Sequence, residues 1–103
     1  MQKFTLLTGS TGLLGQYLLR DLLAKGLRVA VVVRPSRTSD ARSRVDAIMS
    51  RWDRLEGRYL PRPVILTGDL SSPGIGISHQ ERVWLKRNCR AIVHNAASLS
   101  FTT

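Results

Sequence analysis

Three glycines spaced three residues apart constrain this chain more than any other feature: Gly9, Gly12 and Gly15 within Thr8-Gly9-Ser10-Thr11-Gly12-Leu13-Leu14-Gly15. They stand between a short apolar stretch, Phe4 to Thr8, and a segment in which Leu14, Leu18 and Leu22 recur every four residues. The first stretch reads as a strand and the second as a helix from about Thr11 to Lys25. In that strand–turn–helix setting each glycine has its own task. Gly9 permits a tight turn out of the strand, Gly12 lets a pyrophosphate approach the backbone, and Gly15 lets helix and strand pack closely. The helix start then offers free N–H groups and a positive dipole end to phosphates. A turn of this kind predicts a dinucleotide site.

The rest of the chain alternates apolar runs with helical periodicity, the pattern of βαβ units and a parallel sheet. After Gly26, a helix stop, Arg28 to Val33 reads as a second strand; its run Val29-Ala30-Val31-Val32-Val33 suits a strand covered on both faces. Pro35 ends it. Between Ser36 and Arg62, Ala41, Val45, Ile48, Trp52 and Leu55 predict an amphipathic helix, with Ser39 or Thr38 as N-cap and Gly57 as its stop. Pro63 to Thr67 is the third strand, followed by Gly68-Asp69-Leu70 and a turn-rich stretch. Ser78 and Glu81 have the spacing of a capping box opening a third helix, and Arg90 to His94 is the fourth strand. Right-handed crossovers give the order 3-2-1-4 with helices on both faces. The fold class is α/β, the N-terminal part of a doubly wound Rossmann sheet, in one domain spanning 1–103. Strand four would keep an apolar open edge, so the protein is expected to continue beyond Thr103.

The residue after strand two selects the nucleotide. A carboxylate there accepts from the ribose 2′-hydroxyl of NAD, whereas a guanidinium pairs with the 2′-phosphate of NADP. This chain has Arg34 at that place and Arg37 close behind, with no acidic residue between Asp21 and Asp40. NADP(H) is therefore the expected cofactor, held by Arg34 first and Arg37 second. Arg42 and Arg44 read equally well as solvated helix residues. Asp69, at the carboxyl end of strand three, would accept from the adenine amino group or else stabilise its own turn. Asn95, Ala96 and Ala97 end strand four on the same rim, where small residues leave room for the adenosine ribose. His94 is expected to pack beside the strand and take no part in catalysis. The formal net charge of +9 favours an anionic partner, though a piece of a larger protein can carry a bias that the whole dilutes. Nucleic acid ranks low, because no stacking aromatics accompany the arginines. The single Cys89 makes neither a disulfide nor a zinc site. No apolar run reaches the ~20 residues of a membrane span or the pattern of a secretory signal, so the expected location is the cytoplasm.

Together the glycine turn, Gly68-Asp69-Leu70 and His94-Asn95-Ala96-Ala97 resemble the extended short-chain dehydrogenase/reductase superfamily across the whole chain. Arg34, the long second helix and the stretch from Gly68 to Ser78 are most similar to the fatty acyl-CoA reductase and carrier-protein thioester reductase branch. The resemblance implies an oxidoreductase that reduces an acyl thioester with NADPH to an aldehyde or alcohol. It implies cofactor contacts from Thr8, Gly9, Thr11, Gly12, Leu13, Leu14, Gly15, Arg34, Asp69, Leu70, Asn95, Ala96 and Ala97. The superfamily's Tyr-x-x-x-Lys pair is absent: Tyr17 is followed at that spacing by Asp21, and Tyr59 by Pro63. No catalytic residue is expected in this chain, and the acyl thioester would be met by residues beyond Thr103. A nucleotide-sugar epimerase or dehydratase shares the glycine turn but usually has an acidic residue where Arg34 stands. A non-catalytic NADP-sensing module is the reading from another class.

Overall fold

The computed structural model describes residues 3–69 and 76–95. Its elements run β1 (Phe4–Thr8), α1 (Leu13–Ala24), β2 (Val29–Val33), α2 (Ala41–Glu56), β3 (Val64–Thr67), α3 (His79–Asn88) and β4 (Cys89–His94). The four strands form one parallel sheet in the order β3-β2-β1-β4, as the crossover rule requires. Leu6 aligns with Ala30 on one side and with Ile92 on the other.

β2 explains both layers. All five of its residues are buried, because helices cover each face. Val29, Val31 and Val33 join Leu7, Leu19, Leu23, Val45, Met49 and Trp52 beneath α1 and α2. Ala30 and Val32 point the other way and join Leu6, Leu66 and Ile77, with Trp84 and Leu85 of α3 packed against them. Consecutive crossovers in one direction place α1 and α2 on one face; the return from β3 to β4 places α3 on the other.

Two helix faces differ from the periodicity by one residue. In α1 the buried positions are Gly15, Leu19 and Leu23, while Leu14 is 61% exposed and Leu18 and Leu22 lie at the margin. In α2 Met49 is fully buried where Ile48 was expected, and Leu55 is 68% exposed. The N-cap of α2 is Asp40, whose carboxylate accepts from the N–H of Ser43 at 2.8 Å. Thr38 and Ser39 instead donate their N–H groups to the Ser36 hydroxyl in the preceding turn, so neither caps the helix. Gly57 ends α2 in the left-handed conformation at φ 71°. The Ser78–Glu81 capping box is present, and Glu81 also accepts from the N–H of Thr67, tying the start of α3 to the end of β3.

Candidate functional site

The glycine turn caps the carboxyl end of β1 and opens α1. Gly9 has φ 71°, which L side chains rarely adopt, and its carbonyl accepts from the N–H of Gly12 at 3.2 Å. A Cβ on Gly15 would lie 1.7 Å from the Gly9 carbonyl oxygen, so helix and turn pack backbone to backbone there. Gly12 differs. Its conformation is extended, and a Cβ would lie 3.5 Å from that same oxygen, an ordinary contact. Nothing inside the fold demands glycine at 12.

Gly12 is the N-cap of α1 and supplies no side-chain cap. The first helical bond runs from the N–H of Gln16 to the carbonyl of Gly12. The N–H groups of Leu13, Leu14 and Gly15 therefore precede any intrahelical acceptor and present the positive end of α1. Leu13 is 84% exposed beside them.

Next to this turn the carboxyl ends of β1, β2 and β3 surround a cleft of about 330 Å³ lined by Gly9, Thr11, Val32, Val33, Arg34, Arg44 and Asp69. Four residues singled out by sequence thus meet in one place. Arg34 remains largely exposed, with a guanidinium nitrogen 4.0 Å from the Asp69 carboxylate. Arg44, read from sequence as equally a solvated residue, joins them: from the second turn of α2 its guanidinium donates to the Arg34 carbonyl. Only the crossing of α2 over the end of β2 reveals this. Arg37 does not line the cleft; it is exposed on the turn that Ser36 closes with Ser39.

At the end of β4, Asn95 donates its N–H to the Thr8 hydroxyl at 3.0 Å, and the same oxygen lies 2.8 Å from Nδ1 of His94. Thr8 is 2% exposed, so this buried hydroxyl ties the carboxyl ends of β1 and β4 together. His94 is exposed at the end of β4, with the Thr8 hydroxyl as its ring partner. Ser10, also buried within the turn, has a hydroxyl without a hydrogen-bond partner among the described residues. Leu70, Ala96 and Ala97 lie outside the described residues. Tyr17 of α1, half exposed, packs edge-on against Trp52 of α2, and Tyr59 lies under the Arg62 guanidinium before β3. Neither stands on the rim formed by the strand ends. No helix among the described residues is long and apolar enough to cross a membrane.

Residues 7–103 match a family of NAD-binding domains described as male sterility protein. The chain is 37% identical over 98 residues to the NRPS-like oxidoreductase fscA of Fusarium equiseti, covering 95% of this chain and 9% of that protein. It is 29% identical over 106 residues to the fatty acyl-CoA reductase wat of Drosophila melanogaster, covering 96% and 20%. Among solved structures, the terminal R domain from the myxalamid PKS-NRPS biosynthetic pathway superposes with a TM-score of 0.74 at 34% identity, covering 97% of this chain and 26% of that one. The chain thus spans between 9% and 26% of these relatives' length.

Proposed function

The chain belongs to the male sterility protein family of extended short-chain dehydrogenases/reductases, and we propose on that premise that it is the NADPH-holding part of an acyl thioester reductase. The observation that carries the cofactor reading is the convergence of Arg34 and Arg44 on the cleft beside the glycine turn, with Asp69 opposite. The first turn of α1 and the open backbone at Gly12 suit a pyrophosphate. Two guanidiniums at the end of β2 suit a 2′-phosphate, since their fixed donor forks match phosphate oxygens and would leave a bare ribose hydroxyl underused. Arg44 also braces the Arg34 backbone, so the pair acts as a unit. Asp69, on the same cleft, would accept from the adenine amino group.

A dinucleotide held here would supply a hydride for the acyl carbonyl carbon; the C–S bond would break, the thiolate would take a proton, and an aldehyde would remain. The thioester reading rests on the relatives, a fatty acyl-CoA reductase and reductases of peptide and polyketide assembly enzymes. The described residues serve binding and orientation. An epimerase or dehydratase reading is less favoured, because Arg34 and Arg44 occupy the place where an NAD-ribose carboxylate would stand.

Titrating the chain with NADPH and NADH by nicotinamide fluorescence tests the assignment. NADPH should bind more tightly. Arg34→Ala and Arg44→Ala should each weaken NADPH by roughly 10- to 100-fold, as loss of a charge-assisted hydrogen bond does, and leave NADH nearly unchanged. Equal loss for both nucleotides would move the phosphate contact elsewhere.

A further inference from the structure

The charge excess is not confined to the cofactor rim. Lys3, Lys25, Arg28, Lys86, Arg87 and Arg90 all lie at the opposite pole, where strands begin and helices end. Lys86 and Arg87 answer the negative end of α3 and need no further explanation. Lys3 also answers that end, through the Arg87 carbonyl, but Lys3, Arg28 and Arg90 have a further feature in common. They line a cleft of about 270 Å³ with Thr5, Leu27 and Ala91, and no acidic side chain shares it. Two of the three are held in place. The Lys3 ammonium donates to the Arg87 carbonyl at 2.7 Å, and the Arg28 guanidinium lies 4.6 Å from the centre of the Phe4 ring. Each keeps further N–H donors for a ligand.

From these observations we propose that the cleft is a second anion site that takes a di- or triphosphate group. A concave surface lined by charge of one sign concentrates counter-ions. Cations already fixed lose less side-chain entropy on binding than free ones. A single carboxylate would neutralise only one of the three cations, whereas linked phosphates match them together and suit the planar fork of Arg28. The strands separate this cleft from the cofactor rim by about 15 Å, so one dinucleotide phosphate cannot serve both. The proposal does not depend on the cofactor assignment.

Calorimetric titration of the full chain with inorganic tripolyphosphate, with and without saturating NADPH, tests it. Binding should persist in the presence of NADPH and weaken as salt rises. The double variant Arg28→Ala/Arg90→Ala should weaken it by at least about tenfold, with NADPH affinity unchanged and unfolding still a single cooperative transition. Displacement of tripolyphosphate by NADPH, or its loss in Arg34→Ala in place of the double variant, would assign the anion to the cofactor rim and overturn the proposal. So would an absence of binding. A hexaglutamate peptide binding as tightly would make the pole an acidic-peptide surface, and the phosphate assignment would fall.

Discussion

Gly12 and Gly15 stand three residues apart in one turn, yet different constraints hold them to glycine. At Gly15 an added Cβ meets backbone at 1.7 Å, and neither the Gly9 carbonyl nor the start of α1 can withdraw without undoing the turn. Gly15→Ala should cost more than about 3 kcal/mol and lower the urea midpoint sharply. At Gly12 the same methyl meets only an ordinary contact at 3.5 Å, so Gly12→Ala should stay within about 1 kcal/mol of the parent. Its loss should appear in dinucleotide affinity instead, because the methyl projects where the backbone is otherwise open to a ligand. If both variants lost stability alike, Gly12 would be a structural glycine and the pyrophosphate argument would fail. The sequence assigns packing to Gly15 and ligand approach to Gly12 by their order in the turn; the distances across the turn give that division its physical ground.

The connection from α2 to β3 depends on one ion pair. Asp53 accepts from both terminal nitrogens of Arg62, at 3.0 and 2.6 Å, and from the N–H of Leu60, which anchors a fully buried leucine. The Arg62 guanidinium, followed by the Leu60 N–H, holds the Asp53 carboxyl below its ordinary value. The Ser43 N–H does the same for Asp40 at the N-cap. A carboxyl lowered in the folded state contributes stability above its unfolded value near 4, and loses that contribution as pH falls through the folded value. The thermal midpoint should therefore drop as pH falls below about 4. Asp53→Asn should lower the midpoint at pH 7 and flatten part of that acid dependence; parallel pH curves for variant and parent would exclude the pair as a source. Neither partner of this clamp is visible in hydrophobic periodicity. The same blind spot explains the rotated helix faces. Leucines come in adjacent pairs at 13–14, 18–19 and 22–23, and Ile48 adjoins Met49, so the sequence supplies two stripes one residue apart. Close approach of Gly15 to Gly9 chooses between them in α1, turning Leu19 and Leu23 inward. The elements whose signals are chemical proved legible: the capping box at Ser78 and the glycine stop at Gly57 stand where they were read.

At the scale of the molecule, strand order followed from crossover handedness, and the placement of Gly9, Thr11, Arg34 and Asp69 on one cleft followed from strand order. The distribution of charge between the two poles did not, because it depends on which ends of the elements meet. The sheet itself leaves one consequence open to test. Among the described residues β4 pairs with β1 alone, and along it Ile92 is 65% exposed. Ile92 borders a mostly apolar groove of about 500 Å³ shared with Leu6, Leu85, Cys89 and Ala91, with Lys86 and Arg90 as its charged members. An unpaired strand edge beside an exposed apolar face is a template for association, which proteins ordinarily blunt with charge or cover. The 103-residue chain should therefore self-associate in a concentration-dependent way, measurable by sedimentation velocity. Ile92→Lys places a cation on that face without touching the glycine turn or the cleft at Arg34. It should shift the chain towards monomer while leaving nucleotide affinity as it was. A parent already monomeric at high concentration, or a variant that associates equally, would show that β4 is not the adhesive edge. A variant that lost nucleotide binding as well would show instead that the Ile92 side chain supports the register that carries Thr8 and Asn95 to the rim.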